Sequence, residues 1–126
     1  MSTELNLETI TQGKTCGMKG RLRQDFVIDT EQAWSDFYRS LVSNAFPTPA
    51  TPRIDFDKYT VLAVLMGQKP SGGYSTEIAQ VVQSGNDAEV YVQESSAGGK
   101  SATVMTQPYH VVKVPKIEGK VEFKYL

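Results

Sequence analysis

His110 is the single histidine and Cys16 the single cysteine of this 126-residue chain, so nucleophilic or general-base chemistry has to recruit one or both. A Ser-His-Asp arrangement would combine His110 with Ser71, Ser75 or Ser101 and with Asp55 or Asp57. None of those serines sits in the strained strand-to-helix elbow that exposes a nucleophile. His110 lies within the strand-like run "QPYHVVKV", where a polar side chain on one sheet face is the simpler reading. Cys16 lies in the loose segment "GKTCGMKG", without the local signature of a cysteine hydrolase. One cysteine excludes an internal disulfide and a Cys-based zinc site. Asp55 and Asp57 flank Phe56, and an extended chain would turn both carboxylates to one face. They lack the additional oxygen ligands of a calcium loop and read better as a cap at the start of the following strand. The chain therefore reads as a non-enzyme with no cofactor and no metal, and a hydrolase using His110 ranks last.

Two glycine-rich stretches invite a phosphate reading. "MGQKPSGGY" (66–74) and "SSAGGKS" (95–101) contain clustered glycines with a lysine nearby. A phosphate loop needs a strand, a glycine-rich turn and then a helix, so that amides and the helix N-terminus converge on the anion. Neither stretch has that spacing, and each leads into a strand-like run. They read as connections between strands, and their glycines suit turns or close approach to another backbone.

The elements that would position these loops are legible in most of the chain. Residues 1–20 form a poorly defined segment, in which "LNLETI" is a candidate strand. "RLRQDFVI" (21–28) reads as a strand leading into the one clear helix, 29–44, with Asp29 as its cap and Gln32 as capping partner. Ala33, Trp34, Phe37, Tyr38, Leu41 and Val42 recur at the helical period and predict burial of that stripe against a sheet. Pro47, Pro49 and Pro52 make 45–55 a stiff connector. From 56 to 126 the pattern predicts hairpin after hairpin. "YTVLAVLM" is apolar throughout, as in a strand buried on both faces. "YSTEIAQVVQ", the turn "SGND", and "AEVYVQE" follow. "ATVMTQPYHVVKVP" (102–115) reads as one long strand disturbed at Pro108, and "IEG" turns into "KVEFKYL", where Val121, Phe123 and Tyr125 alternate with charged residues. The predicted fold is a single α+β, mostly β domain over 1–126: an antiparallel sheet or sandwich with one amphipathic helix packed on it.

Composition narrows the partner. Hydrophobic content is 40%, charged content 21% and net charge −1, with basic residues scattered. Nucleic acid would call for a basic face, so a nucleic-acid partner is not expected. No stretch reads as a membrane span or a signal peptide. The chain as it stands predicts a cytoplasmic protein, or an exported one if a leader has been removed.

The run "IDFDKYTVLAVLMGQKPSGGYSTEIAQV" together with "MTQPYHVVKVPK" (105–116) resembles the C-terminal domain family of PrcB, and "VIDTEQAWSDFY" resembles the segment preceding that domain in many relatives. The resemblance spans roughly residues 24–125. It implies stabilisation or assembly of a protease complex by protein contact, not catalysis. A second similarity, at loop level, is to chagasin-like protease inhibitors. "KPSGGY" (69–74) resembles their first loop, "SAGG" (96–99) their glycine-rich second, and "QPY" (107–109) their third, with Gln for Arg and Tyr for Trp. Both readings point to a protein partner, with a protease as the leading candidate. Contact with such a partner is expected on Lys69, Pro70, Ser71, Gly72, Gly73, Tyr74, Gly98, Gly99, Gln107, Pro108, Tyr109 and His110. A loop-presenting protease inhibitor is the alternative function, and the oligomeric state stays open.

Overall fold

The run 59–65 organises the molecule. In the computed structural model, which describes residues 2–18, 20–70, 73–96 and 105–126, every residue of this strand after Tyr59 is buried. Successive side chains of a strand point to opposite faces. Leu62 and Val64 accordingly enter a core shared with Val81, Val90, Val92 and Val112. Val61, Ala63 and Leu65 enter a second core with Trp34, Phe37, Tyr38 and Leu41. The expectation of a strand buried on both faces holds, and it produces three layers: helix, sheet, sheet.

The strands are β1 (Ser2–Glu4), β2 (Glu8–Gly13), β3 (Gln24–Ile28), β4 (Tyr59–Leu65), β5 (Tyr74–Ser84), β6 (Asp87–Ser96), β7 (Tyr109–Pro115) and β8 (Val121–Tyr125), with α1 over Glu31–Leu41. One sheet has the order β1-β5-β6-β8 and the other β2-β7-β4-β3. The α+β, mostly β sandwich with a single helix packed on it is the predicted class. Helix α1 lies on the outer face of the second sheet, through the stripe that the sequence marks.

Several elements differ from expectation for physical reasons. The helix cap is Thr30, not Asp29: Thr30 Oγ1 accepts from Ala33 N at 3.2 Å, the usual N-cap geometry. The helix ends at Leu41 and the chain turns through Asn44. The poorly legible N-terminal segment supplies β1 to one sheet and β2 to the other, with Leu5 buried between them. Of the predicted succession of hairpins, only β5–β6 closes as one, through Gly85 at φ 63°. β7 and β8 lie in different sheets, and β8 runs parallel to β6. The chain crosses between sheets after Pro115 instead of reversing within one. Gly119 N and Lys120 N then bond to Asn86 O (2.6 Å) and Asp87 Oδ1 (2.8 Å), which starts β8 beside the start of β6. Of the predicted strand 102–115, residues 102–104 lie outside the described residues, and β7 begins at Tyr109, so Pro108 precedes that strand and does not interrupt it. Before Pro108, Thr106 forms an isolated bridge to Lys69.

Side chains close the two open sides of the sandwich. On one side Arg23 grips Glu94 through Nε (2.9 Å) and Nη2 (2.6 Å) and lies 4.0 Å from the Tyr125 ring centre. Tyr125 donates its hydroxyl to Asp25 at 2.9 Å, and burial with that carboxylate pushes the phenol up. Strand β3 is thereby held to β6 and β8. On the other side, β1 pairs β5 only at Val82–Ser84, with one further bond from Leu5 N to Val81 O. Farther along β5, side chains of the opposite sheet take over that role.

Candidate partner-binding end of the sandwich

Leu65 pairs with Tyr109 and with Gln24, and Tyr74 pairs with Ser96. The end of β4, the starts of β3, β5 and β7, and the end of β6 therefore share one end of the sandwich. The described ends of the two glycine-rich connections lie there together. Their bases are tied. Lys69 N bonds Thr106 O and Thr106 N bonds Lys69 O, both at 2.8 Å, and Met66 N bonds Pro108 O at 2.9 Å. The segment 14–20 is laced to both: Gln107 N to Lys14 O and Gln68 N to Gly20 O, each 2.8 Å. Gly17 N caps the helix end at Leu41 O, also 2.8 Å. Gly67 has φ 90°, and a Cβ there would stand 2.6 Å from Arg21 O, so glycine is required. The described residues of the loop "GKTCGMKG" are thus part of a hydrogen-bonded collar beneath both connections.

The predicted contact residues divide by burial. Pro70 is exposed, and Lys69, Gly73, Tyr74 and Tyr109 are half-buried. Lys69 Nζ lies 5.4 Å from the Tyr74 ring centre. Ser71, Gly72, Gly98 and Gly99 lie outside the described residues, as does Ser101. Gln107, Pro108 and His110 are buried, so they cannot meet a partner in this conformation. Their burial follows from the collar and from the inter-sheet position of His110. It removes the third contact that a chagasin-like wedge would present.

His110 is a structural histidine. Its Nδ1 accepts from Ile78 N at 2.8 Å, and its Nε2 lies 2.8 Å from Thr9 Oγ1. A backbone N–H can only donate, so the ring proton sits on Nε2 and is given to Thr9. Burial lowers its pKa, partly offset by the Glu77 carboxylate. Both ring nitrogens are engaged, which leaves no base for a serine. Cys16 is half-buried, and burial pushes its thiol up, away from the reactive thiolate. Asp55 and Asp57 lie at a turn over 56–58, not in the extended run expected of them. Asp55 Oδ1 accepts from Asp57 N at 3.1 Å in a turn that starts β4, which is the capping role expected of them. Among the described residues no His, Cys, Asp and Glu cluster could hold a metal, and no helix is long and apolar enough to cross a membrane.

The same end carries apolar side chains that the sequence does not flag. Among the described residues, the exposed large hydrophobics are Phe46 (100%), Leu22 (79%), Leu126 (65%), Met105 (63%) and Val27 (45%), and Leu22, Phe46 and Met105 lie in the segments that border this end. Leu22 precedes the start of β3, Phe46 follows the helix end, and Met105 precedes the Thr106 bridge. Each lies in a segment without periodicity, so no pattern marks it. Below Met105 a pocket of about 100 Å³ is lined by Cys16, Gln68, Thr106 and Gln107 among others. That is too small for a typical organic ligand.

Residues 60–115 match the family model described as PrcB C-terminal. This stretch of the chain is similar to the PrcB C-terminal domain. It covers β4 to β7, including both glycine-rich connections and the collar residues 66–69 and 106–108. No curated protein and no solved structure gave a significant match. The match suggests a non-catalytic role in protein contact, in keeping with a histidine spent on the fold.

Proposed function

We propose that the protein is a non-enzymatic interaction module that binds a protein partner through the loop end of its sandwich, and that the partner belongs to a protease complex which it stabilises or helps assemble. The observation that carries the reading is the exposure of Leu22, Phe46 and Met105 at the end where Lys69, Pro70 and Tyr74 also lie. Apolar side chains gathered at one end, with a lysine and an aromatic ring among them, have the make-up of a contact surface. The collar beneath holds the loop bases in place, which limits the entropy lost on binding. The protease partner rests on the family match alone.

Affinity capture on the full chain from its own cell extract tests this. A defined partner should be retained by the wild type and by Glu118→Ala, an exposed change at the opposite end, and depleted by Tyr74→Ala. Equal retention by all three would remove the loop end from the interface. Purified chain should leave cysteine and serine proteases active; inhibition would favour the inhibitor reading instead.

A further inference from the structure

Strand β5 outruns its neighbour β1, leaving part of one edge without a strand partner. Two side chains from the opposite sheet serve that edge. Gln12 Nε2 donates to Thr76 O at 3.2 Å, and His110 Nδ1 accepts from Ile78 N at 2.8 Å. Residues two apart on a strand turn their amides and carbonyls to the same side, so both contacts lie along one line. The register of β5 shifts between Ile78 and Gln80, a bulge that begins at the residue His110 holds. His110 is 2% exposed, and its ring joins β7, β2 and β5.

The Ile78 contact exists in only one protonation state. Neutral His110 offers a lone pair at Nδ1, whereas the imidazolium would set N–H against N–H. The groups facing the ring offer little compensation. From β2 come the Thr9 hydroxyl and the neutral Gln12, which pairs with His110 across the strands. From β4 the paired residue is Val64, which is apolar. From β5 the Ile78 amide faces the ring, and the Glu77 carboxylate acts on it from an exposed position.

We infer that the His110–Ile78 contact is an acid-released latch: protonation of His110 parts the β5 edge from the β2–β7 edge while the β5–β6 ladder stays paired. Opening is coupled to uptake of one proton. Its equilibrium therefore shifts toward open about tenfold per pH unit below the ordinary imidazole range. Among the described residues, the Gln12 side chain then remains bonded to that stretch of the edge, through a longer bond.

Amide hydrogen exchange on the full chain, read by NMR from pH 8 to 5 and corrected for intrinsic rates, tests the latch. Ile78 protection should be level above about pH 6.5 and fall about tenfold per unit below it. At pH 5 Ile78 should exchange at least about tenfold faster than Val61 and Val90, whose release requires global unfolding. His110→Gln keeps an acceptor without a titrating group and should abolish the fall. The wild-type comparison stands by itself if that variant does not fold. Ile78 protection that stays level to pH 5, or that equals that of Val61 and Val90 throughout, would overturn the inference.

Discussion

Replacing Trp34 by alanine should weaken the packing of the helix layer on the sheets and cost a large part of the stability of the whole fold. Trp34 is 2% exposed and lies 6.2 Å from Phe37 and 5.3 Å from Tyr38, centre to centre. Its Nε1 donates to Pro52 O at 2.8 Å, which ties the proline-rich connector to the helix. Truncating a buried tryptophan costs about 3–5 kcal/mol, and loss of the bond to a part-buried carbonyl adds about 1 kcal/mol. A 126-residue chain has a net stability of about 6–19 kcal/mol. The variant should therefore lose roughly a quarter or more of its stability, with a fall in Tm of about 15 °C. Urea unfolding followed by far-UV circular dichroism and by tyrosine fluorescence measures this, and the two probes should coincide. Trp34→Phe, which removes the donor but keeps most of the ring, should cost about 1–2 kcal/mol. A loss below about 1 kcal/mol for the alanine variant, or a helix that melts while the sheets stay folded, would refute the reasoning. The outcome also bears on the unit of folding. The family match starts at residue 60, but the core that holds Val61, Ala63 and Leu65 is built mainly by residues that come before it, Trp34, Phe37, Tyr38 and Leu41 among them.

Three further outcomes are expected. Thr76 Oγ1 is buried and finds no partner among the described residues, so Thr76→Val should raise stability by about 1 kcal/mol in urea unfolding. Gly17→Ala should destabilise by about 2–3 kcal/mol, because its Cβ would stand 2.7 Å from Ser40 O and 2.9 Å from Ser43 N. Ser43→Ala in the same chain should restore only part of that loss, because the backbone contacts remain. Stability should also fall as pH drops below 6.5, the ordinary value for the single histidine. The folded state holds His110 neutral and the unfolded state protonates it, so the unfolded chain binds the extra proton. The slope is at most about 1.4 kcal/mol per pH unit. Between pH 6.5 and 5 it belongs to His110, since the exposed carboxylates of Asp36 and Glu89 are lowered and titrate further down.

The strands and the helix were legible where burial imposes a period. The all-apolar run at 59–65 announced a strand with two covered faces, and the stripe from Trp34 to Leu41 announced the surface that covers one of them. Local chemistry at helix and strand ends was harder to read. Asp29 and Thr30 are both good caps, and only the backbone conformation chooses between them. Topology was largely hidden: a β7–β8 hairpin and a sheet-to-sheet crossover leave the same alternation in "KVEFKYL". β1 and β2 were obscured because edge strands carry mostly exposed, polar residues. At the candidate site, the glycine-rich connections and Tyr74 were visible as a motif. Gln107 and His110 were misplaced at the surface because a polar type does not reveal an inter-sheet bond such as the one to Ile78 N. Leu22, Phe46 and Met105 passed unseen, since an exposed apolar residue in an aperiodic loop has no sequence signature.

Peroxide footprinting of Met105 is the most direct test of contact through the loop end. Met105 is 63% exposed, Met66 is buried and Met18 half-buried, so Met105 should oxidise first among these in the free chain. In the complex recovered by capture, its sulfoxide formation should slow by about tenfold or more while the free chain shows no such protection. Oxidation of Met105 at the same rate in the free and bound chain would place the partner elsewhere and contradict the account.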